Sequence, residues 1–175
     1  MTGKLIALVI LILAAAGGGA MYYLQVYAYY YDVEAQPGRD VMLLADVAGD
    51  PAPIAYSDFR AIDADSSPIR YRACFATTES PEDLAARFVT LDEQVPRTAP
   101  GWFDCFDAED IGAELKAGTA TAYLSAKNIE YGVDRVVAVT GDGRGYVWHE
   151  LNNCGKKAYD GTVVGEECPP VPAGN

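Results

Sequence analysis

The chain is short of the residues that usually announce a chemistry. It has one histidine, His149, and no CxxC or CxxCH spacing. Zinc-ribbon, thioredoxin-type and covalent-haem readings therefore lack their ligands. Basic residues are also scarce: 13 lysines and arginines face 25 acids, a formal charge of -12 at pH 7. A surface of that sign repels nucleic acid and anionic lipid while attracting cations or basic proteins, so DNA or RNA binding is excluded. No cysteine stands near the N-terminus, which rules out a lipoprotein anchor, and no serine or cysteine sits in an elbow motif beside a base. What remains is 175 residues, half of them hydrophobic and 22% charged. That is enough for one packed domain and too apolar for wholesale disorder.

The long apolar run comes first in the chain. Lys4 is the only charged side chain before Asp32, so 12 basic against 25 acidic groups leave -13 on everything from Asp32 onward. Residues 5–13 (LIALVILIL) are followed by Ala14-Ala15-Ala16 and Gly18-Gly19-Ala20, small residues of the kind a signal peptidase requires. Yet Met21, Leu24, Val26 and a set of tyrosines carry the apolar character on to Tyr31. The 20 residues from Leu5 to Leu24 make about 30 Å of helix, the thickness of the hydrocarbon layer. We therefore read residues 1–31 as a retained transmembrane anchor. Tyr22, Tyr23, Tyr27, Tyr29, Tyr30 and Tyr31 form a belt at the headgroup level, where a ring with a hydroxyl is well placed. Tyr23, Tyr27 and Tyr30 share one helical face, and Ala15 with Gly19 and Ala16 with Ala20 are small pairs four apart that let another helix approach. These two faces, Tyr22 included, are the expected partner interface.

Lys4 and the terminal amine precede the span while Asp32 and Glu34 follow it, so the N-terminus is expected to stay in the cytoplasm. All four cysteines, Cys74, Cys105, Cys154 and Cys168, lie beyond the span, in the even number that suits disulfides in an oxidising compartment. Of three possible pairings, Cys154 with Cys168 and Cys74 with Cys105 are favoured. The former closes a glycine- and lysine-rich loop too poor in apolar side chains to hold itself.

After a short tether at 32–40, ended by Pro37-Gly38, residues 41–48 read as a buried first strand. Residues 59–62 and 69–75 flank a polar turn. In the second of these, Ile69, Tyr71, Ala73 and Phe75 alternate with Arg70, Arg72 and Cys74, the pattern of a strand with one buried face. Ser80-Pro81-Glu82-Asp83 opens a helix, with Leu84, Phe88 and Leu91 on its buried side and Pro96 as its stop. A second helix starts at Asp107 and ends at Gly118, and residues 119–124 return to strand. The strongest local pattern is VDRVVAVTGDGRGYVWHEL, two runs rich in β-formers around Asp142-Gly143, a hairpin. Its glycines do not make a phosphate loop, because a strand and not a helix follows Gly145.

Three stretches, AMYYLQVYAYY, YGVDRVVAVTGDGRGYVWHELN and CGKKAYDGTVVGEECPP, resemble an uncharacterised family of small bacterial proteins with one membrane span, sometimes labelled histidine kinase. The resemblance implies a bacterial inner-membrane setting, hence a periplasmic domain, and supplies no catalytic residues. A chain of this length has no room for the phosphoacceptor and ATPase domains of a kinase.

Catalytic candidates are few. His149 neighbours Glu150, but adjacent strand residues point to opposite faces, so it reads as an ordinary surface or half-buried histidine. Asp104, Asp107, Glu109 and Asp110 could hold a cation or serve a hydrolase, yet acids at a helix start are already a sufficient explanation and the favoured one. Asp63, Asp65 and Ser67 imitate a calcium loop that fails at Pro68 and Cys74. The expectation is an α+β protein: an anchor at 1–31, a tether at 32–40, a disulfide-stapled domain at 41–168 with a small antiparallel sheet and about two helices, and a loose tail at 169–175. Its expected role is a non-catalytic accessory subunit of an inner-membrane complex, needing no cofactor or metal. The acidic domain would meet a basic partner, a c-type cytochrome if the complex is respiratory or photosynthetic. The alternatives are a periplasmic hydrolase or cation-binding enzyme using the 104–110 carboxylates, and a secreted domain with a cleaved leader.

Overall fold

In the computed structural model, residues 2–47 and 49–168 are described; the 169–175 tail and the last residue of the 41–48 strand lie outside them. The apolar run forms α1, Thr2–Tyr23, which widens into one π turn over Leu24–Ala28. Together Gly3–Ala28 make 26 residues, with an 18-residue stretch of mean hydropathy 2.3, long and apolar enough to cross a bilayer, and that apolar stretch is not buried against the rest of the chain.

The head is a seven-stranded antiparallel sheet with helices and loops on both faces. Its strands are β1 (Tyr31–Asp32), β4 (Ser57–Asp63), β5 (Arg72–Ala76), β9 (Arg144–Leu151), β8 (Val133–Thr140), β7 (Ala120–Glu130) and β6 (Thr90–Leu91), in that spatial order. β2 (Met42–Leu44) and β3 (Pro51–Pro53) form a separate antiparallel pair. That pair and the short helix α2 (Pro81–Ala85) cover one face, where Leu43, Ile54, Leu84 and Phe88 pack on Ala73, Phe75, Val137 and Val147. Helix α3 (Ala108–Ala117) and the loop before it cover the other, where Phe103, Phe106 and Ile111 meet Ile62, Val136, Tyr146 and Trp148.

Double coverage corrects the expectation of a one-faced strand at 69–75. Arg72 and Cys74, on the side opposite Tyr71 and Phe75, are only 3% and 8% exposed. The near-continuous VVAV of β8 follows from the same cause, because a central strand covered on both faces has no polar side to alternate with. Arg72 tolerates burial because its guanidinium donates to four carbonyls, those of Ile69, Tyr71, Arg97 and Thr98, at 2.6–3.2 Å. Burial pulls its pKa down to about 10.

The helix starts form as read. Ser80 Oγ accepts from Asp83 N at 3.1 Å, and Asp107 accepts from the amides of Glu109 and Asp110, with Gly118 closing α3 at φ +73°. The first helix is shorter than expected. It stops at Ala85, and Leu91 belongs to β6, where Thr90 and Leu91 pair with Tyr123 and Ala122. The β-branched pair Val89-Thr90 gains more from the open backbone of β7 than from further helical turns. The hairpin turns at Asp142, with Gly143 at φ +85° and Thr140 Oγ1 accepting from Arg144 N at 3.0 Å. On its second strand Gly145 stands opposite Phe75, whose ring occupies the space a Cβ would need.

The 32–40 segment is no free tether. Asp32 pairs with Ile62, Val33 N donates to Ala61 O at 2.9 Å, and Asp40, 9% exposed, accepts from Tyr56 Oη and Gln36 N, both at 2.6 Å. The disulfides are Cys74–Cys105 and Cys154–Cys168. The first ties β5 to the loop under α3. The second closes the exposed C-terminal loop, which Lys127 also holds through an ion pair to Glu166 and one to the buried Asp134 at 3.1 Å.

Candidate functional site

The residues expected to act gather, in part, at the end of the head where α1 arrives. Within α1, Ala15, Ala16, Gly19 and Ala20 are exposed, and the rings of Tyr23 and Tyr27 stack at 5.9 Å with Tyr22 edge-on to Tyr27 at 6.3 Å. Tyr30 departs from the expected stripe. Helical geometry ends at Ala28, so Tyr30 turns to the head, where it meets Trp102 edge-on at 5.9 Å and its hydroxyl accepts from Arg70 at 3.2 Å. The termination leaves the last carbonyls of the helix without intrahelical donors. Trp102 Nε1 takes one of them, Val26 O, at 2.7 Å. Tyr31 then enters the sheet opposite Asp63, and its hydroxyl donates to Asp65 at 3.1 Å.

Beside this junction lies a cleft of about 480 Å³. Its floor comes from strand register. Tyr31 pairs with Asp63, Ile62 with Arg72, Arg72 with Trp148 and Arg135 with His149. Asp63, Tyr71, His149 and Arg135 therefore form one transverse line over four adjacent strands, continued by Tyr31 on a fifth. Side chains in one such line share a face.

His149 is 7% exposed, more deeply buried than the surface or half-buried setting expected for it. Its Nδ1 lies 2.7 Å from Pro68 O, which can only accept, so that nitrogen carries the proton. Nε2 then offers its lone pair to Arg135 Nε–H at 3.0 Å. Burial, then the adjacent Arg135 charge, pushes the imidazole down to a pKa of about 4, so the ring is neutral at pH 7. Tyr71 stacks on the imidazole at 4.8 Å, and the Arg135 guanidinium sits 4.6 Å from the Tyr71 ring centre. Burial raises the Asp63 carboxyl above the usual range, against the pull of Ala64 N and Arg135. Arg135 makes no ion pair among the described residues, whereas Arg60, Arg87, Arg97 and Arg144 each hold a carboxylate.

The 104–110 carboxylates do not converge on a common point. Asp107 caps α3, Asp104 pairs with Arg60 at 2.9 Å, and no group of three or more potential metal ligands occurs among the described residues. Glu150 faces away from His149 and pairs with Arg97. Arg135 was not singled out from the sequence, although it could have been. A hairpin centred on Asp142 sets residues seven before and seven after it opposite one another, which brings Arg135 to His149.

Residues 41–169 match the Family of unknown function (DUF6446), a span that begins one residue before β2 and leaves α1 outside it. No curated protein and no solved structure matches the chain.

Proposed function

We propose that this chain, which belongs to the DUF6446 family, is a single-pass membrane protein whose disulfide-bonded head stands in an oxidising compartment and serves as an accessory, binding subunit of a larger membrane complex. One observation carries the reading. A 26-residue apolar helix finds no cover in its own chain, yet its end is fastened to the head by Trp102 and Tyr30. An apolar rod of that length is stable only in lipid or against other apolar helices. Its fixed junction sets the head at one height and angle over the membrane. The small residues Ala15, Ala16, Gly19 and Ala20 then offer the approach surface for a partner helix.

Two disulfides and the charge step from Lys4 to the acidic head support an N-terminus inside and a head in an oxidising compartment, which in the bacterial inner membrane that the family resemblance implies is the periplasm. The acidic head attracts a basic partner, such as a c-type cytochrome, through long-range steering.

The reading is tested by solubilising membranes in mild detergent, identifying co-purifying proteins, and sequencing the N-terminus of the recovered chain. A stable set of membrane partners that is lost on Gly19→Leu supports it. A mature chain starting near Met21, or a partner-free monomer, overturns it.

A further inference from the structure

The cleft at the junction has a composition that neither a simple anion nor a simple cation satisfies. Arg135 lines it with a guanidinium that makes no ion pair among the described residues, and Asp63, Asp65 and Glu130 line it as well. His149 adds no charge and holds Arg135 in place through Nε2, leaving the guanidinium's terminal nitrogens to other acceptors. A phosphate alone would face three carboxylates; an amine alone would face Arg135. A molecule carrying both charges a few ångströms apart meets each with its opposite.

Position narrows the source. Asp65, on the cleft wall, accepts from Tyr31, the third residue past the end of the helix at Ala28. Three residues span about 10 Å at most, so the cleft opens at the level of the lipid headgroups if α1 crosses the bilayer. We infer that this cleft binds the headgroup of an aminophospholipid, with the phosphodiester on Arg135 and the primary ammonium on Asp63, Asp65 and Glu130. A primary ammonium brings three N–H donors to acceptors that a quaternary ammonium cannot satisfy. The inference rests on the reading of α1 as a retained span, which places the cleft against a leaflet.

The full chain is embedded in phosphatidylcholine nanodiscs doped with phosphatidylethanolamine or phosphatidylglycerol, and the lipid retained after release is weighed by native mass spectrometry. Phosphatidylethanolamine should be retained about tenfold over the other two, the effect of one charge-assisted hydrogen-bond set. Glu130→Lys, at an exposed position where folding is not at stake, should abolish that preference, whereas Arg135→Gln should weaken retention of all three lipids, because each carries the phosphodiester. Soluble phosphoethanolamine, which shares the chemistry but not the acyl chains, should compete only weakly. Equal retention of the three lipids by the wild type, a preference unchanged by Glu130→Lys, overall retention unchanged by Arg135→Gln, or tighter binding of the soluble compound overturns the inference. A chain that arrives without its anchor overturns the lipid source together with the membrane reading. Loss of headgroup preference in an embedded chain overturns this inference alone.

Discussion

Trp102 and Val26 lie 76 residues apart, and the indole N–H of the first donates to the carbonyl of the second at 2.7 Å. The bond joins a helix end to the loop that also carries Cys105, so the apolar helix meets the head through the Trp102 side chain, backed by Tyr30.

Trp102→Phe keeps a ring against Tyr30 and removes the donor. The head should lose only about 1 kcal/mol of stability, the net worth of one hydrogen bond. Proteolysis within 24–33 should accelerate several-fold, read from the release of the intact head in a timed digest. An unchanged digest shows that the bond does not hold the junction.

The two disulfides should differ in consequence. Cys74–Cys105 spans 31 residues and joins the sheet to the α3 layer, and its removal by paired alanines should cost about 3–4 kcal/mol in a denaturant melt. Cys154–Cys168 closes an exposed loop of 14 residues. Without it the loop should exchange its amides quickly while the sheet melts nearly as before, because the loop contributes no core residue.

Arg72 is the costliest polar residue to replace. Arg72→Met leaves four carbonyls without their donor in a site 3% exposed, and should destabilise the head by about 3 kcal/mol or more in urea. Lysine offers a point charge in place of the planar fork and should recover only part of the loss.

His149 makes stability depend on acid. Its pKa falls from an ordinary 6.5 when unfolded to about 4 when folded, so between those values the unfolded chain binds the extra proton. The contribution is fully present above pH 6.5 and is lost as the pH falls toward 4. It amounts to roughly 3 kcal/mol and changes no further below that. Urea melts from pH 4 to 7 on the wild type and His149→Gln should diverge across that window. The difference isolates the histidine from Asp63, whose raised pKa acts in the opposite sense. Parallel curves refute the assignment.

Local signals were legible where a single residue type does the work. The caps at Ser80 and Asp107, the stop at Gly118, the hairpin at Asp142 and both cysteine pairings formed as the residues implied. Where layers decide, local reading failed. Nothing near Arg72 tells that Phe106 and the 97–98 carbonyls will close over it. The turn of Leu91 from helix into β6 depends on a strand 30 residues further on. Tyr30 kept its helical phase only on the assumption that α1 continued, and the helix ended two residues earlier. The cleft was half visible. Asp63, Asp65 and His149 stood out one at a time and Arg135 did not, and the line joining Asp63, His149 and Arg135 required the register of β4, β5, β8 and β9.

Both outermost strands of the sheet, Tyr31–Asp32 and Thr90–Leu91, are two residues long. The flanks they leave bare are irregular: β4 shifts register between Ser57 and Arg60 with Asp58 at φ +53°, and β7 does so twice, with Asn128 at φ +49°. Neither border offers the straight run of unpaired amides onto which a foreign chain could zip. The head therefore resists templated polymerisation, and whatever associates with it must do so through side chains or through the apolar helix.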